Sequence, residues 1–214
     1  MHISEGFLTP QMLAAGWAVA GVGAVVGLKK MDPDKIVRVA VFSSVFFLAS
    51  LINVRVGPGS THLSLLAPMG LVLGWSVFPA VLVALLLQAV LLQFGGILVL
   101  GANTVNMALP GLVVHLLFSG AILRSGDIAA AAFSFAAGFL AVILGALGVG
   151  FFLNLSDPGM TGAVKVLFVA HVPLALIEGA VTLFMVGFLR KTAPDILTGV
   201  EKRKIQETLI NTER

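Results

Sequence analysis

Four histidines, Glu178, Asn103 and Asn106 make up most of the polar chemistry inside the apolar stretches of this 214-residue chain, which has no cysteine. Without thiolates, a bound metal must rely on nitrogen or oxygen. The opening Met1-His2 offers the densest set of nitrogens. A free α-amine, the His2 amide nitrogen and the His2 imidazole can wrap one divalent ion in fused chelate rings, leaving one in-plane position for a further nitrogen such as that of His62. Four nitrogens in a plane suit Ni²⁺ or Cu²⁺, and Co²⁺ less strictly. Mg²⁺ and Ca²⁺ want oxygen, and Zn²⁺ prefers a tetrahedron.

The same residues have plainer readings. A histidine at position 2 can be an exposed residue of a frayed terminus. His62, after Pro58-Gly59-Ser60-Thr61, can be interfacial or can cap a short helix. Asn103 and Asn106, in Gly101-Ala102-Asn103-Thr104-Val105-Asn106, either cap the following span or orient the metal ligands, as Ser60 in the turn before His62 would. Glu5 is expected to bind loop amides or orient His2 or His62 rather than touch the ion. His171 and Glu178, seven apart, share a helix face, where they serve as interhelical hydrogen-bond partners or as a proton relay. His115 reads as a packing histidine, and the scattered methionines as core filler.

What must position these groups is a membrane bundle. The chain is 58% hydrophobic and 11% charged, against about 25% charged in soluble domains. Its net charge of +3 comes from basic residues in short segments beside apolar runs, where they act as orientation signals, which argues against nucleic-acid binding. A helix needs about 20 apolar residues to cross the hydrocarbon core. Six runs fit: Gln11 to Leu28, Ile36 to Val54, Trp75 to Phe94, Thr104 to Leu123, Ile128 to Leu153 and Val164 to Leu189. A seventh, Thr61 to Gly74, is apolar but short.

Charge asymmetry decides whether it crosses. Seven spans with the N-terminus outside put Lys29, Lys30, Lys35, Arg38, Arg124, Arg190, Lys191, Lys202, Arg203, Lys204 and Arg214 in the cytoplasm, and leave Arg55 and Lys165 outside; six spans invert the later loops and break the positive-inside rule. The fold class expected is therefore all-α, a seven-helix polytopic membrane protein with its N-terminus outside and its C-terminus cytoplasmic. Residues 1–190 form the metal-binding transmembrane domain and 191–214 a short charged tail. In that topology His2, His62 and Asn103, the last in an outer loop, converge on one face. The start lacks the basic region of a cleavable signal peptide, so Met1 is expected to remain. Small residues Gly16, Ala20, Gly21 and Ala24 on span one, and Gly138, Ala141 and Gly145 on span six, permit close helix packing.

There is no phosphate-binding Gly-x-x-x-x-Gly-Lys-Ser/Thr loop, no His-Glu-x-x-His and no Gly-x-Ser-x-Gly, so no ATP hydrolysis by that machinery and no such hydrolase is expected. Met1-His2-Ile3-Ser4-Glu5-Gly6, Pro58-Gly59-Ser60-Thr61-His62, the run from Gly95-Gly96 to Asn106-Met107-Ala108, and His171-Val172-Pro173 with Glu178-Gly179 resemble the CbiM/NikM family over nearly the whole chain. These are substrate-binding S components of energy-coupling factor transporters for cobalt and nickel. The resemblance implies Ni²⁺ or Co²⁺ as transported substrate, held by the Met1 amine, the His2 amide and imidazole and the His62 imidazole. It also implies a first helix added to a six-helix core, an inner-membrane location and partners: a transmembrane coupling protein, a cytoplasmic ATPase pair and in some systems a small accessory membrane protein. Two rivals from other classes are an ion-coupled metal carrier or channel acting without an ATPase, and a membrane scaffold or enzyme subunit in which His2 and His62 are incidental.

Overall fold

A computed structural model describes residues 2–51, 53–56 and 59–198, with the segment 53–61 described as backbone only. Met1, the expected amine donor, and residues 199–214 of the expected tail lie outside the described residues. The fold is all-α with a small sheet added. Its helices are α1 (Pro10–Lys29), α2 (Ile36–Ala49), α3 (Leu66–Leu73), α4 (Val77–Leu92), α5 (Leu100–Arg124), α6 (Asp127–Ser156), α7 (Thr161–Thr192) and α8 (Pro194–Thr198). Among the described residues, five stretches are long and apolar enough to cross a membrane: Pro10–Lys29, Leu66–Leu92, Leu100–Arg124, Asp127–Ser156 and Pro158–Thr192. α2 is apolar but has only 14 residues.

The Leu66–Leu92 stretch is not one straight rod. Gly74, at φ +55 and ψ −126, breaks it between α3 and α4, in a region open to glycine and closed to most side chains. The chain reverses there. α4 starts beside the end of α1, where Lys30 Nζ stands 4.5 Å from the Trp75 ring, and returns to Phe94 near His2.

The sheet corrects two sequence expectations. β1 (His2–Ile3), β2 (Asn53–Val56) and β3 (Gly59–His62) pair antiparallel in the order β1-β3-β2. The helix expected to run to Val54 stops at Ala49, and the β-branched alternation of Asn53-Val54-Arg55-Val56 enters a hairpin instead. Thr61 and His62, expected to open the third helix, belong to β3; α3 is only eight residues long. Asn103 is likewise in α5 and buried, not in an outer loop.

Small residues set the helix spacing. α1 buries Gly16, Ala20, Gly23, Ala24 and Gly27; a Cβ at Gly16 would stand 2.6 Å from the Ala102 amide nitrogen. Gly21 of the expected face points outward, whereas the four- and seven-residue spacings from Gly16 keep the others on one stripe. Gly138, Ala141 and Gly145 are buried on α6, whose most extensive packing is against α7. At the opposite end from His2, the Arg190 guanidinium donates to Ser125 O at 2.9 Å and stands 3.6 Å from Asp127.

Candidate metal site

Strand register brings the two histidines together. His2 lies opposite Ser60, and His62 is two residues further along β3. Side chains two apart share one face of a strand, and a diagonal neighbour is within reach of a ring. The result is a contact of 3.0 Å between His2 Nε2 and His62 Nε2, with ring centroids 5.0 Å apart.

The partners assign the protons. Leu63 O can only accept, so His62 Nδ1, 2.9 Å away, carries hydrogen and His62 Nε2 presents its lone pair. The contact between the rings then takes its hydrogen from His2 Nε2, which leaves His2 Nδ1 as a lone pair beside Gly95. The Phe46 ring meets His62 edge-on at 5.7 Å and Phe94 stands 6.2 Å from His2, so the imidazoles sit between aromatic walls.

Burial tunes the pair. His2 is 2% and His62 3% exposed. Loss of solvent, followed by the N-terminal charge, holds His2 well below the usual 6.5 and lowers His62 to about 3. Both rings are therefore neutral at physiological pH, the form that binds metal. Among the described residues no group of three or more His, Cys, Asp or Glu side chains could hold an ion.

The surrounding polar residues hold β1 rather than face the rings. Asn103 accepts from the Ile3 N–H through Oδ1 at 2.8 Å and donates to Ile3 O through Nδ2 at 2.9 Å. It does not cap α5, whose N-cap is Val99 with no side-chain bond. Glu5 accepts from the Leu98 N–H at 2.9 Å while its own N–H donates to Gly95 O at 3.1 Å, the loop-amide role expected of it. Gly95 (φ +75) and Gly96 (φ +128) make that loop possible: a Cβ at Gly95 would stand 2.9 Å from Asn103 Nδ2, and one at Gly96 would collide with the Glu5 carboxylate. Ser60 faces His2 in backbone register; its side chain is outside the described residues. Asn106 lies apart, against Gly148 of α6, where it lines a cavity of about 610 Å³ with Met12, Leu109 and Phe151.

The site is recessed. The first turn of α5 is level with Gly16 and Trp17 of α1, about 9 Å below the start of α1 at 1.5 Å per residue. Thr9 at that start donates to Ser156 Oγ at the end of α6, 3.2 Å away, so α1 and α6 rise above the histidine pair.

Two groups of α7 need placing. His171 donates from Nδ1 to Leu167 O at 2.7 Å within its own helix. Glu178 is buried and accepts from the Ser64 N–H, from Ser64 Oγ at 2.8 Å and from the Leu65 N–H at 3.0 Å. Neither makes the helix-to-helix bond expected of the pair: His171 bonds within α7, and Glu178 ties α7 to the segment between His62 and α3. That attachment, like the places of Phe46 and Phe94, has no local pattern to mark it, because the residues in contact are far apart in sequence. His115 packs at the α3–α4 break, 3.2 Å from where a Gly74 Cβ would lie.

A family model described as the cobalt uptake substrate-specific transmembrane region, CbiM, matches residues 2–196. The chain belongs to the CbiM family. It is a multi-pass membrane protein, as the five apolar stretches and that family agree. A putative metal transport protein of Haemophilus influenzae is 36% identical over 206 residues, spanning 94% of this chain and 98% of its own length. A putative fused cobalt transport protein, CbiMQ, of Methanocorpusculum labreanum is 29% identical over 98% of this chain, which matches 38% of the fused protein. The crystal structure of a truncated transition metal transporter superposes with a TM-score of 0.68 at 26% identity, covering 89% of this chain and 99% of that one. CbiM membership thus rests on a match over residues 2–196.

Proposed function

We propose that this CbiM-family chain is the substrate-specific subunit of an ATP-driven importer of the energy-coupling factor type, capturing Ni²⁺ or Co²⁺ on the outer side of the inner membrane. The observation that carries the reading is the burial of two neutral imidazoles against each other, 3.0 Å apart, as diagonal neighbours across the β1–β3 pairing beside the chain terminus. Nothing in the packing of an apolar bundle requires two such rings to be buried against each other. A divalent ion uses both as neutral donors.

In this reading the ion is held by the Met1 amine, the His2 amide nitrogen, the His2 imidazole and the His62 imidazole. Chelation fixes which His2 nitrogen serves: only Nδ1 closes a six-membered ring with the amide of the same residue. Binding releases protons from the amine and the amide, while His2 Nε2 and His62 Nδ1 keep theirs and the lone pair of His62 Nε2 turns from the His2 hydrogen to the ion. Four strong-field nitrogens favour nickel or cobalt over the oxygen-seeking Mg²⁺ and Ca²⁺.

The reversal at Gly74 supports counting α3 and α4 as separate passes and α2 as a short one, for seven helices in all with the N-terminus outside and the basic helix ends inside. Partners are a transmembrane coupling protein, for which the fused CbiMQ relative provides a precedent in its name, a pair of cytoplasmic ATPases, and in some systems a small accessory membrane protein. The chain itself is not an enzyme.

Titration of the purified chain with Ni²⁺ and Co²⁺ tests the capture step. One equivalent should bind tightly, and one residue added before Met1, which relocates the amine without disturbing packing, should abolish tight binding. Vesicles holding this chain alone should bind metal without sustained uptake; sustained uptake would favour an ion-coupled carrier instead.

A further inference from the structure

The segment that carries His62 into α3 is poorly supported by its own sequence. α3 has Leu65 at its N-cap with no side-chain hydrogen bond from that residue, and Leu65 itself adopts φ +51. A leucine lacks the oxygen that caps free amides, and a left-handed conformation is unfavourable for a bulky side chain. Something else must hold this turn. That support comes from α7, where the Glu178 carboxylate takes the Ser64 and Leu65 N–H groups just ahead of the first turn of α3.

One peptide group joins the two halves of the site. The amide between Leu63 and Ser64 presents its N–H to Glu178 and its C=O to His62 Nδ1. Fixing one end of a planar amide fixes the other. A carboxyl acceptor on the N–H also polarises the carbonyl, which then draws harder on the imidazole hydrogen, because hydrogen bonds in series strengthen one another in a buried setting. Metal-binding histidines commonly have their second nitrogen held by a carboxylate or a carbonyl. Here both are present, in series.

We propose that Glu178 is the positioning residue for His62, acting through the Leu63–Ser64 peptide group to fix the ring's tautomer and aim its Nε2 at the metal. The assignment rests on the capture site described above. It also makes α7, whose other end bears Arg190 and Lys191, the helix whose movement would disturb the metal ligand directly.

The test is a double-mutant cycle on the full chain with an intact Met1, read by Ni²⁺ affinity, by the visible absorption of the bound nickel and by thermal unfolding of the metal-free protein. His62→Ala should cost most of the affinity and move the absorption to longer wavelength, as a nitrogen is exchanged for water. Glu178→Ala should lower affinity by about 10–100-fold and shift the band the same way. Glu178→Gln, which keeps one acceptor oxygen where the carboxyl offers two, should fall between it and the parent. Ser64→Ala removes the hydroxyl but leaves the peptide N–H, and should stay within about fivefold of the parent. Combining Glu178→Gln with His62→Ala should be no weaker than His62→Ala alone.

Should His62→Ala bind as the parent does, the capture site itself is wrong. If His62→Ala loses binding while the Glu178 variants keep the parental affinity and spectrum, or change only the unfolding temperature, or add fully to His62→Ala, the positioning role is overturned. Should Glu178→Ala fail to fold, Glu178→Gln decides by the same cycle.

Discussion

Asn103 holds both main-chain groups of Ile3, accepting from its N–H at 2.8 Å and donating to its carbonyl at 2.9 Å. This two-bond grip imitates a neighbouring strand, so β1, only two residues long, is held by β3 on one edge and by an asparagine of α5 on the other. His2 is adjacent. Its ring meets His62 because Ile3 cannot slide.

Asn103→Ala should therefore weaken metal binding without touching a ligand. It leaves two buried main-chain groups unpaired, at about 1–3 kcal/mol each, and frees β1 to move. Asn103→Asp should be similarly damaging, since a carboxylate cannot donate to Ile3 O. Calorimetric titration of both variants checks this, with at least a tenfold loss of affinity expected.

The histidine pair should make the metal-free protein sensitive to acid. His62 is lowered from 6.5 to about 3 and His2 is lowered too, both first by burial. The unfolded chain binds those protons more readily than the folded one, so the stability they contribute is fully present above pH 6.5 and declines as pH falls toward 3. Thermal unfolding in detergent should show a midpoint that drops through that range. His62→Ala should flatten part of the slope. An equally steep decline in the variant would place the proton uptake elsewhere.

Gly96 offers a steric test of the loop. Gly96→Ala would both strain a backbone at φ +128 and drive a methyl group into Glu5, costing about 1–3 kcal/mol for the strain alone. Gly21→Ala on the outward face of α1 meets nothing within 4 Å and should be neutral or slightly stabilising, because alanine is the better helix former. Unfolding temperatures of the two variants should separate accordingly.

Helix positions were largely legible in the sequence, because the runs of apolar residues between charges report the thickness of a bilayer directly. α1, α5, α6 and α7 fall close to their expected places. The strands were not legible. Asn53–Val56 continues an apolar run, and its pairing with Gly59–His62 and His2–Ile3 is decided by partners distant in the chain. His2 and His62 could be singled out by type and topology, since few ionisable groups border these spans. The grip of Asn103 on Ile3 and of Glu178 on Ser64 left no local signature, because each joins residues a hundred or more positions apart.

The most direct measurement is the X-ray absorption spectrum of the nickel-loaded chain with its natural start. A first shell of about four nitrogen ligands in a plane, with the outer-shell scattering of two imidazoles, is predicted, and His62→Ala should remove one imidazole. A shell of six oxygens, a sulfur ligand, or a spectrum unaltered by His62→Ala would contradict the central claim that one ion is held between the chain terminus and His62.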